Sequence, residues 1–251
     1  MSTSVLMTDA TRPDAGIEIS VVLPTFCEAE NIAAMIRRLQ AAIPNAEIIV
    51  VDDDSPDLTW QIAAAAGARA IRRRGERGLA SALKRGIDEA EGEIVVWMDA
   101  DLSMPPEDAL RLVNAVKEGA DVAVGSRYAP GGRDLRSPLR FLTSKAINRF
   151  ANFLLPLEVK DYDSGFVAAR REVFRKVPLP DGGYGEYCIE FLCQAGLSGF
   201  RIEEVGYRFS DRSHGASKSA AGPLVFVRHG INYFSRIIAL WLKCHRLKKY
   251  G

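Results

Sequence analysis

The feature that most constrains the fold is a short apolar stretch that runs directly into two carboxylates. Residues 94–98 read Ile-Val-Val-Trp-Met, and Asp99 and Asp101 follow at alternate positions. An apolar run of this length, rich in β-branched residues, predicts a strand buried on both faces of a parallel sheet. Because strand side chains alternate between faces, the two aspartates leave the sheet on the same side. The stretch therefore predicts an α/β fold with a polar site beyond this strand.

The paired aspartates are of the kind that hold a divalent cation. Carboxylate oxygens are hard ligands that suit Mg²⁺ or Mn²⁺, and a bound diphosphate would supply the remaining oxygens. An alternative is that Asp101 only caps the helix expected after Pro105 and Pro106. Capping accounts for one carboxylate and leaves Asp99 unexplained. We therefore expect Asp99 and Asp101 to be metal ligands.

Strands and helices alternate through the first half of the chain. The apolar pattern predicts strands at 17–23, 46–51, 68–72, 94–98 and 121–125, and helices at 30–42, 79–90 and about 106–117, with a further helix ending near Gly67. This alternation predicts βαβ units and a mainly parallel, doubly wound sheet with helices on both faces. Pro24 is expected to end the first strand, because it cannot donate a hydrogen bond.

The second half is less regular, but it carries further elements. Its pattern predicts helices at 139–155, 187–195 and 224–242, strands at 166–169 and 200–209, and a polar loop at 212–221. In the last helix an apolar stripe is formed by Val227, Ile231, Phe234, Ile238 and Trp241. We expect a loose tail at 1–16, one α/β domain at 17–222, and an amphipathic, basic C-terminal helix and tail at 223–251.

Composition and charge exclude several classes of protein. The net charge of the 251 residues is +1, which gives no global field for nucleic acid. The spacing of the four cysteines matches neither a zinc site nor a disulfide framework and suits a reducing cytoplasm. Residues 1–16 lack the apolar core of a signal peptide, and no run of 18 apolar residues could span a membrane.

The basic C-terminal helix predicts a peripheral place at a membrane. Its apolar stripe is followed by the cationic residues of 243–249, and such a helix can lie in the interface of an anionic membrane. The alternative is an ordinary helix packed on the sheet, with a solvated tail. We expect a cytoplasmic protein that associates peripherally with the cytoplasmic face of a membrane.

Acidic residues elsewhere in the chain are expected to converge on one cleft. The candidates are Glu28, Asp52 to Asp54, the Asp99/Asp101 pair, and the turn with Asp161 and Asp163. Neither GxGxxG nor GxxxxGKS occurs, so phosphates would need a metal and basic side chains. The candidate cations for that role are Arg127, Arg212 and Lys218.

Five short motifs, taken in order, resemble those of a known family. They are Pro24-Thr25-Phe26-Cys27-Glu28, Val51-Asp52-Asp53-Asp54-Ser55-Pro56-Asp57, Asp99-Ala100-Asp101, Gly125-Ser126-Arg127-Tyr128, and Arg212 with Gly215-Ala216-Ser217-Lys218. Their order is similar to that of family 2 glycosyltransferases of the GT-A fold, and most similar to polyprenol-phosphate (dolichol-phosphate) mannose synthases. The resemblance extends from about Ile19 to Lys218.

The resemblance implies a role for each of these residues. It implies nucleoside contacts for Pro24, Phe26, Glu28, Val51 and Asp53; ribose, metal and diphosphate contacts for Asp99, Ala100 and Asp101; and phosphate contacts for Arg127, Arg212 and Lys218. Asp99, Asp101, Arg212 and Lys218 form the implied catalytic set. The chain departs from the family at Phe26 (usually Tyr), Cys27 (usually Asn) and Leu58 (usually Gly). It also departs at Ser103, which stands in the place of a Gln that helps to bind the metal and is therefore the third candidate metal ligand.

The reaction implied is inverting transfer of mannose from GDP-mannose to a polyprenyl phosphate, with Mg²⁺ or Mn²⁺. UDP-glucose or another nucleotide sugar is an alternative donor, and the oligomeric state is left open. A response-regulator receiver domain is a different alternative, with Asp52 to Asp54 and Asp101 as its acidic pocket. Against it, a complete βα unit with Glu28 precedes the acidic strand. A nucleotide-sugar binder without activity is a third possibility.

Overall fold

The apolar strands of the chain pair in one central sheet. The computed structural model describes residues 17–180, 185–212 and 223–250, with the side chains of 230–245 in the last helix. Its strands are β1 (Ile19–Thr25), β2 (Glu47–Asp52), β3 (Arg69–Arg72), β4 (Ile94–Trp97), β5 (Val122–Ser126), β6 (Arg133–Asp134), β7 (Val167–Arg170), β8 (Ile202–Gly206) and β9 (Arg208–Phe209). Its helices are α1 (Ala29–Ala42), α2 (Thr59–Ala65), α3 (Leu79–Glu89), α4 (Asp108–Lys117), α5 (Pro138–Leu154), α6 (Arg171–Lys176), α7 (Glu186–Leu197) and α8 (Pro223–Tyr250).

The sheet is mainly parallel, as the sequence predicted. Its strand order is β3-β2-β1-β4-β7-β5-β8, and only β7 runs antiparallel to its neighbours, β4 and β5. The short strands β6 and β9 pair in a separate two-stranded sheet. Because β1, β2 and β4 are parallel, their carboxyl ends lie at one edge of the sheet. The order in which strands are added reverses between β1 and β4, and ligands of open α/β sheets bind at such a point.

Helices cover both faces of the sheet and bury two apolar clusters. One cluster joins α1, α2 and α4 to the sheet, and the other joins α3, α5, α6, α7 and α8 to the opposite face. Alternate residues of one strand enter different clusters, as with Val95 and Val96 of β4. This arrangement confirms the doubly wound fold class and explains why the strands are apolar without alternation.

The strand that precedes the two aspartates is buried along its whole length. All four residues of β4 are buried, and Trp97 contacts the rings of Phe174 and Phe191 at centroid distances of 5.8 and 5.1 Å. The prediction of a strand buried on both faces is confirmed. Rigid packing of Trp97 fixes the point from which the following loop leaves the sheet.

The prediction that Pro24 ends the first strand is wrong. β1 continues to Thr25, and Pro24 is in register with Val51 of β2. The pairing of β1 with β4 extends only to Val22, whose carbonyl accepts from the backbone N–H of Met98. Pro24 lies two residues later and faces the same side, beyond the end of the pairing with β4. Its missing N–H therefore removes no hydrogen bond from the sheet.

The single strand predicted at 200–209 is two strands. β8 pairs with β5, whereas β9 pairs with β6, and the chain changes sheets at Tyr207. At Gly206 a side chain would collide with the carbonyl of Pro130, so the absence of a β-carbon allows this crossing. The short β6 and the one-and-a-half-turn α6 were not predicted, because neither is long enough to give an apolar period.

The C-terminal helix carries a packed face and an exposed apolar face. Ile237, Leu240 and Cys244 of α8 are buried against neighbouring helices. Two members of the predicted stripe, Ile231 and Ile238, are 63% and 43% exposed. Within the described residues, no helix combines the length and apolarity needed to cross a membrane.

Candidate active site

A cleft of about 400 Å³ opens at the carboxyl ends of β1, β2 and β4. It brings together most of the residues that the sequence predicted for a site. Its lining includes Pro24, Phe26, Glu28, Asp53, Asp99, Ala100, Asp101, Ser103, Arg127 and Arg212. Residues far apart in sequence therefore meet in one place, as expected from parallel strands that end at the same edge.

The loop after β1 is held by residues of the loop after β2. Ser55 Oγ accepts a hydrogen bond from the backbone N–H of Cys27, and Thr59 Oγ1 accepts from that of Glu28 (both 2.9 Å). Asp57 accepts from the backbone N–H of Ala29 at 3.1 Å. These bonds supply partners to N–H groups at the start of α1. The second motif therefore fixes the position of Glu28 in the first.

The three aspartates after β2 have three different roles. Asp52 is fully buried and accepts hydrogen bonds from Thr25 and Ser55, so it braces the two loops. Asp54 pairs with Arg72 at the surface. Asp53 lines the cleft, where its carboxylate binds the Arg73 side chain and the backbone N–H of Gly78. Of the three aspartates at 52–54, only Asp53 lines the cleft.

The loop after β4 presents the paired aspartates at the floor of the cleft. Asp99 and Asp101 are half-buried, and Asp101 Oδ1 accepts a hydrogen bond from the backbone N–H of Ser103 at 3.0 Å. Leu102, between Asp101 and Ser103, has a left-handed φ of 63°. Non-glycine residues at such φ values are held by their surroundings and concentrate at functional sites.

The residues of this loop fit a divalent cation. Ser103 Oγ is buried at the cleft and has no hydrogen-bond partner in the described part of the chain. With Asp99 and Asp101 it offers the hard oxygen ligands that Mg²⁺ and Mn²⁺ prefer. No group of three or more His, Cys, Asp or Glu side chains gathers as a metal site within residues 17–180, 185–212 and 223–250. A cation here would therefore take further oxygens from a bound diphosphate.

Arg212 connects two of the acidic loops across the cleft. Its Nη2 lies 2.6 Å from Glu28 Oε1 and 3.4 Å from Asp101 Oδ2. The backbone before it is anchored too, since Ser210 donates its N–H to the carbonyl of Ser103. Sequence reasoning expected Arg212 to be near phosphates, and the structure brings it to the loop of the paired aspartates. Lys218, its predicted companion, lies outside the described residues.

Arg127 is positioned in a buried ion network at the side of the cleft. Its side chain is 2% exposed and binds both oxygens of Asp161, at 2.8 and 2.5 Å, and also Asp163. Asn148 and Ser144 of α5 donate to Asp163 as well. The predicted phosphate contact of Arg127 stays a prediction, and its observed contacts join β5 to the acidic turn and α5.

For each of the two aspartates in this network, burial raises the pKa and the nearby Arg127 charge lowers it. Burial raises the pKa of Asp161 to about 6, although the Arg127 charge opposes the rise. For Asp163 burial also acts upward, but Arg127 and the Asn148 amide hold its pKa below the usual range. The network therefore depends on the guanidinium that both carboxylates share.

Sequence reasoning missed two cations of the cleft, Arg136 and Arg140. Arg136 pairs with Asp134 through two hydrogen bonds of 2.9 and 2.6 Å, and its guanidinium lies 4.6 Å from the Phe209 ring centroid. Arg140 of α5 donates to Asp211 at 2.8 Å. Both follow the irregular Gly-rich segment after β5, and only the density of arginines there, three between 133 and 140, could have indicated them.

Val51 does not line the cleft. Its side chain is fully buried in the apolar cluster beneath α3. Any contact that Val51 makes with a nucleoside would therefore involve its main chain, and the predicted contact stays a prediction. Asp161, expected among the converging acids, lies behind the cleft wall, whereas Asp163 is part of the wall.

Carboxylates outnumber cations along the described part of the cleft. The carboxylates are Glu28, Asp53, Asp99, Asp101, Asp163 and Asp211, and the guanidinium groups are those of Arg127, Arg136, Arg140 and Arg212. An anionic ligand at the aspartate end meets repulsion unless additional positive charge is bound there. This balance, together with Ser103, favours a site that takes a diphosphate along with a divalent cation.

The sequence matches one family of known proteins and is similar to relatives of that family. Residues 20–178 match glycosyl transferase family 2. A dolichol-phosphate mannosyltransferase of Pyrococcus furiosus is 41% identical over 80% of this chain, which spans 59% of that relative's length. A polyprenol monophosphomannose synthase of Mycolicibacterium smegmatis is 38% identical over 79% of each chain.

The fold is also similar to that of a solved enzyme. Glucosyl-3-phosphoglycerate synthase from Mycobacterium tuberculosis, in complex with Mn²⁺, uridine diphosphate and phosphoglyceric acid, matches with a TM-score of 0.69 and 25% identity. The match covers 90% of this chain and 79% of that one. That neighbour binds a nucleoside diphosphate together with a divalent metal, the ligand chemistry expected for the cleft.

Proposed function

Because the chain belongs to glycosyltransferase family 2 and has the GT-A fold, we propose that it transfers mannose from GDP-mannose to a polyprenyl phosphate, with inversion at the sugar. The two relatives act, by their names, on dolichol phosphate or polyprenol phosphate and on mannose. The names support both the sugar and the class of acceptor. The nucleotide is the part of the proposal that depends most on the sequence resemblance.

One observation carries the proposal: a single cleft has an acidic end that suits a divalent cation and an opposite end that is cationic. The acidic end holds Asp99, Asp101 and Ser103, and the cationic end holds Arg136 and Arg140, with Arg212 between them. This arrangement suits a donor diphosphate at the first end and an anionic acceptor at the second. The sugar between them would be exposed to attack from the side opposite its leaving group.

The reaction needs positioning more than it needs a proton acceptor. A phosphate monoester of a lipid is already an anion at neutral pH, so its oxygen can attack the anomeric carbon without a general base. The bond to the donor diphosphate breaks as the new bond forms, which inverts the configuration of the sugar. Holding two anions in this geometry converts a bimolecular encounter into an effectively unimolecular step.

Asp99, Asp101 and Ser103 are the residues that would hold Mg²⁺ or Mn²⁺. A bound cation supplies positive charge to the leaving diphosphate. In the chain itself, Ser103 N–H orients Asp101, and Arg212 lies close enough to Asp101 to compensate part of its charge. Arg212 also binds Glu28, so movement of this one side chain would change the charge at both loops.

The cationic end is proposed as the site of the acceptor phosphate. Arg136 and Arg140 line the cleft with side chains 17% and 29% exposed, so both can reach a ligand there. Each is held by one aspartate, Asp134 or Asp211, and a guanidinium has further donors to offer a phosphate. These contacts would offset the repulsion between an anionic acceptor and the donor diphosphate.

A lipid acceptor requires a place at the membrane, and α5 and α8 are proposed to provide it. Both helices contribute to the cleft, through residues that include Arg140 and Tyr233. We call their exposed apolar side chains the apolar surface of α5 and α8; its members include Leu139, Leu142 and Phe153 of α5, and Ile231, Ile238 and Leu242 of α8. Exposed apolar side chains beside a basic tail suit insertion into an anionic interface. We also propose that the α/β domain ends at residue 222, that the membrane-binding C-terminal helix and tail begin at residue 223, and that the membrane surface is the cytoplasmic one.

A donor panel tests the proposal. The purified full chain would be incubated with a polyprenyl phosphate and Mg²⁺ or Mn²⁺, together with labelled GDP-mannose, UDP-glucose or UDP-mannose. We expect label in the lipid fraction with GDP-mannose and a product of inverted anomeric configuration by NMR. Labelling from UDP-glucose instead would replace the proposed donor, and a lack of lipid-linked product from any donor would contradict the reaction class.

A further inference from the structure

The basic loop between β3 and α3 has no role in the proposed function so far. It reaches the part of the cleft lined by Pro24, Phe26 and Asp53, which we call the nucleoside end because the sequence resemblance places the nucleoside there. Residues 72–78 read Arg-Arg-Arg-Gly-Glu-Arg-Gly. Both ends of the loop are fastened to Asp53: the Arg73 side chain binds one carboxylate oxygen, and the backbone N–H of Gly78 binds the other at 2.8 Å. Arg73 also donates to the carbonyl of Gly78 at 3.0 Å, which closes the base of the loop.

The middle of the loop projects outward, and Arg77 turns back over the cleft wall. Its guanidinium carbon lies 4.3 Å from the centroid of the Phe26 ring, and Phe26 lines the cleft. Arg77 is exposed, and its only ring or ionic contact in the described part of the chain is this one. Arg74 is equally exposed in the same loop and contacts no ring there.

We propose that Arg77 is a cover for the donor's nucleobase, stacking on the base when the base occupies the face of Phe26. A distance of 4.3 Å is direct contact, which leaves no space for a base between the guanidinium and the ring. A base on that face must therefore displace Arg77, which then meets a second aromatic plane of similar shape. A planar guanidinium stacks on such planes and donates to their carbonyl groups.

The anchoring at Asp53 gives this cover its position. Because Asp53 holds Arg73 and Gly78, its carboxylate acts on the nucleoside end partly through the loop that carries Arg77. Gly75 has a φ of 75°, and no other group lies within 4 Å of the place that a side chain would take there, so the projecting part has room to move. The inference rests on the proposed function, since it requires a nucleotide donor in this cleft.

Calorimetric titration of the full chain with GDP and with UDP, each with Mg²⁺, tests the cover. Arg77→Ala is expected to weaken binding of the preferred nucleotide roughly fivefold, because the wild type exchanges an exposed cation–π contact with Phe26 for a more desolvated one with the base. Arg77→Lys is expected to recover less than half of that loss on a logarithmic scale, because Lys keeps the charge but not the plane. Arg74→Ala, the matched control, is expected to bind as the wild type does.

The outcomes separate this inference from the function on which it rests. Wild-type affinity in Arg77→Ala, tighter binding, or full recovery by Arg77→Lys would overturn the cover. Binding of neither nucleotide by the wild type would overturn the cover and the proposed function together. Because Arg77 is exposed, thermal unfolding of each variant should match the wild type, and this measurement excludes misfolding as the cause of a loss.

Discussion

At the scale of single residues, Arg127 is the position at which a substitution is expected to lower the free energy of unfolding most. Its guanidinium is enclosed with Asp161 and Asp163 and is almost completely hidden from solvent. A buried charge whose partner is removed is destabilising by about 3–5 kcal/mol. In this network one cation hydrogen-bonds Asp161 and Asp163 and lies 3.8 Å from a third carboxylate, Asp134. Its removal would leave Asp161 and Asp163 without their main partner. This side chain is therefore a structural requirement for the wall of the cleft.

We expect Arg127→Met to lower the free energy of unfolding by about 3–5 kcal/mol in urea titrations. Arg149→Met on α5 is the control: Arg149 is exposed, and a change within about 0.5 kcal/mol is expected. Equal stability of the two variants would show that the buried network contributes nothing.

The same variant has a predicted pH dependence. Burial already raises the pKa of Asp161 to about 6, and loss of the Arg127 charge raises the folded-state pKa further. An acid with a raised folded-state pKa binds more protons in the folded state than in the unfolded state. The variant's stability relative to the wild type should therefore fall as pH rises from about 5 to 8. Urea titrations across this range would check the sign, and a rise would contradict it.

Leu58 is a second informative residue, because it stands where the resembling family usually has glycine. It has a left-handed φ of 64° just before α2 and is 51% exposed. A β-carbon in this conformation costs about 1–2 kcal/mol, from which the greater freedom of glycine in the unfolded chain subtracts about 0.4–1 kcal/mol. We expect Leu58→Gly to raise the free energy of unfolding by about 0.5–1 kcal/mol.

Asn45→Gly is the control for that substitution. Asn45 also has a positive φ, 71°, but asparagine tolerates the left-handed region and the residue lies away from the cleft. The free energy of unfolding of both variants would be measured in urea titrations, and that of Asn45→Gly should change by less than about 0.5 kcal/mol. A destabilised Leu58→Gly would mean that contacts of the leucine side chain outweigh its backbone strain.

At the scale of elements, most strands were predictable to within two residues at each end, but two features that depend on neighbouring strands were not. A buried strand such as β4 has a continuous apolar sequence, so the pattern alone indicates it. The extension of β1 through Pro24 depends on where the neighbouring strand stops, and the change of sheet at Tyr207 depends on space beside Gly206. Both are tertiary effects, and local sequence does not contain them.

Helix α8 shows the same limit in a different form. Of the predicted apolar stripe, Trp241 packs against the core, whereas Ile231 and Ile238 are exposed. The buried side chains in the described part of the helix are Ile237, Leu240 and Cys244, which were not in the predicted stripe. Two apolar faces on one helix cannot be ranked by periodicity, because the choice depends on which face meets α5 and α7. The face that remains exposed is the one that matters for the proposed membrane contact.

We expect the combined substitution Leu139→Glu and Leu142→Glu on α5 to reduce co-sedimentation with anionic vesicles severalfold. Both leucines are more than half exposed, so the change removes apolar insertion without opening the core. Leu197→Glu, at an exposed leucine of α7, is the control and should leave vesicle binding unchanged. Equal binding by the α5 variant and the control would exclude α5 from the membrane contact.

At the scale of the whole molecule, the sheet assembles a site from loops that are distant in sequence. Strand alternation and the paired aspartates were sufficient to predict the edge at which the cleft opens. The cationic end was harder to predict: Arg136 and Arg140 lie there because the segment after β6 and helix α5 bring them to the cleft. A segment with so little regular pattern gives no sequence signal for such placement.

The proposed reaction requires that the acidic end of the cleft hold the donor diphosphate. In that case Asp101→Asn should reduce mannosyl transfer on the order of a hundredfold or more, because it removes charge that holds a cation against the leaving group. Asp88→Asn, at a largely exposed carboxylate on α3, is the matched control and should retain wild-type activity.

The most direct measurement is therefore the rate of transfer from GDP-mannose to polyprenyl phosphate, recorded for the wild type, Asp101→Asn and Asp88→Asn while Mg²⁺ is titrated. We expect a metal-dependent rate in the wild type and in Asp88→Asn, and a nearly complete loss in Asp101→Asn at every Mg²⁺ concentration. Undiminished, metal-dependent transfer by Asp101→Asn would contradict this prediction and leave Asp101 only its structural hydrogen bond from the backbone N–H of Ser103.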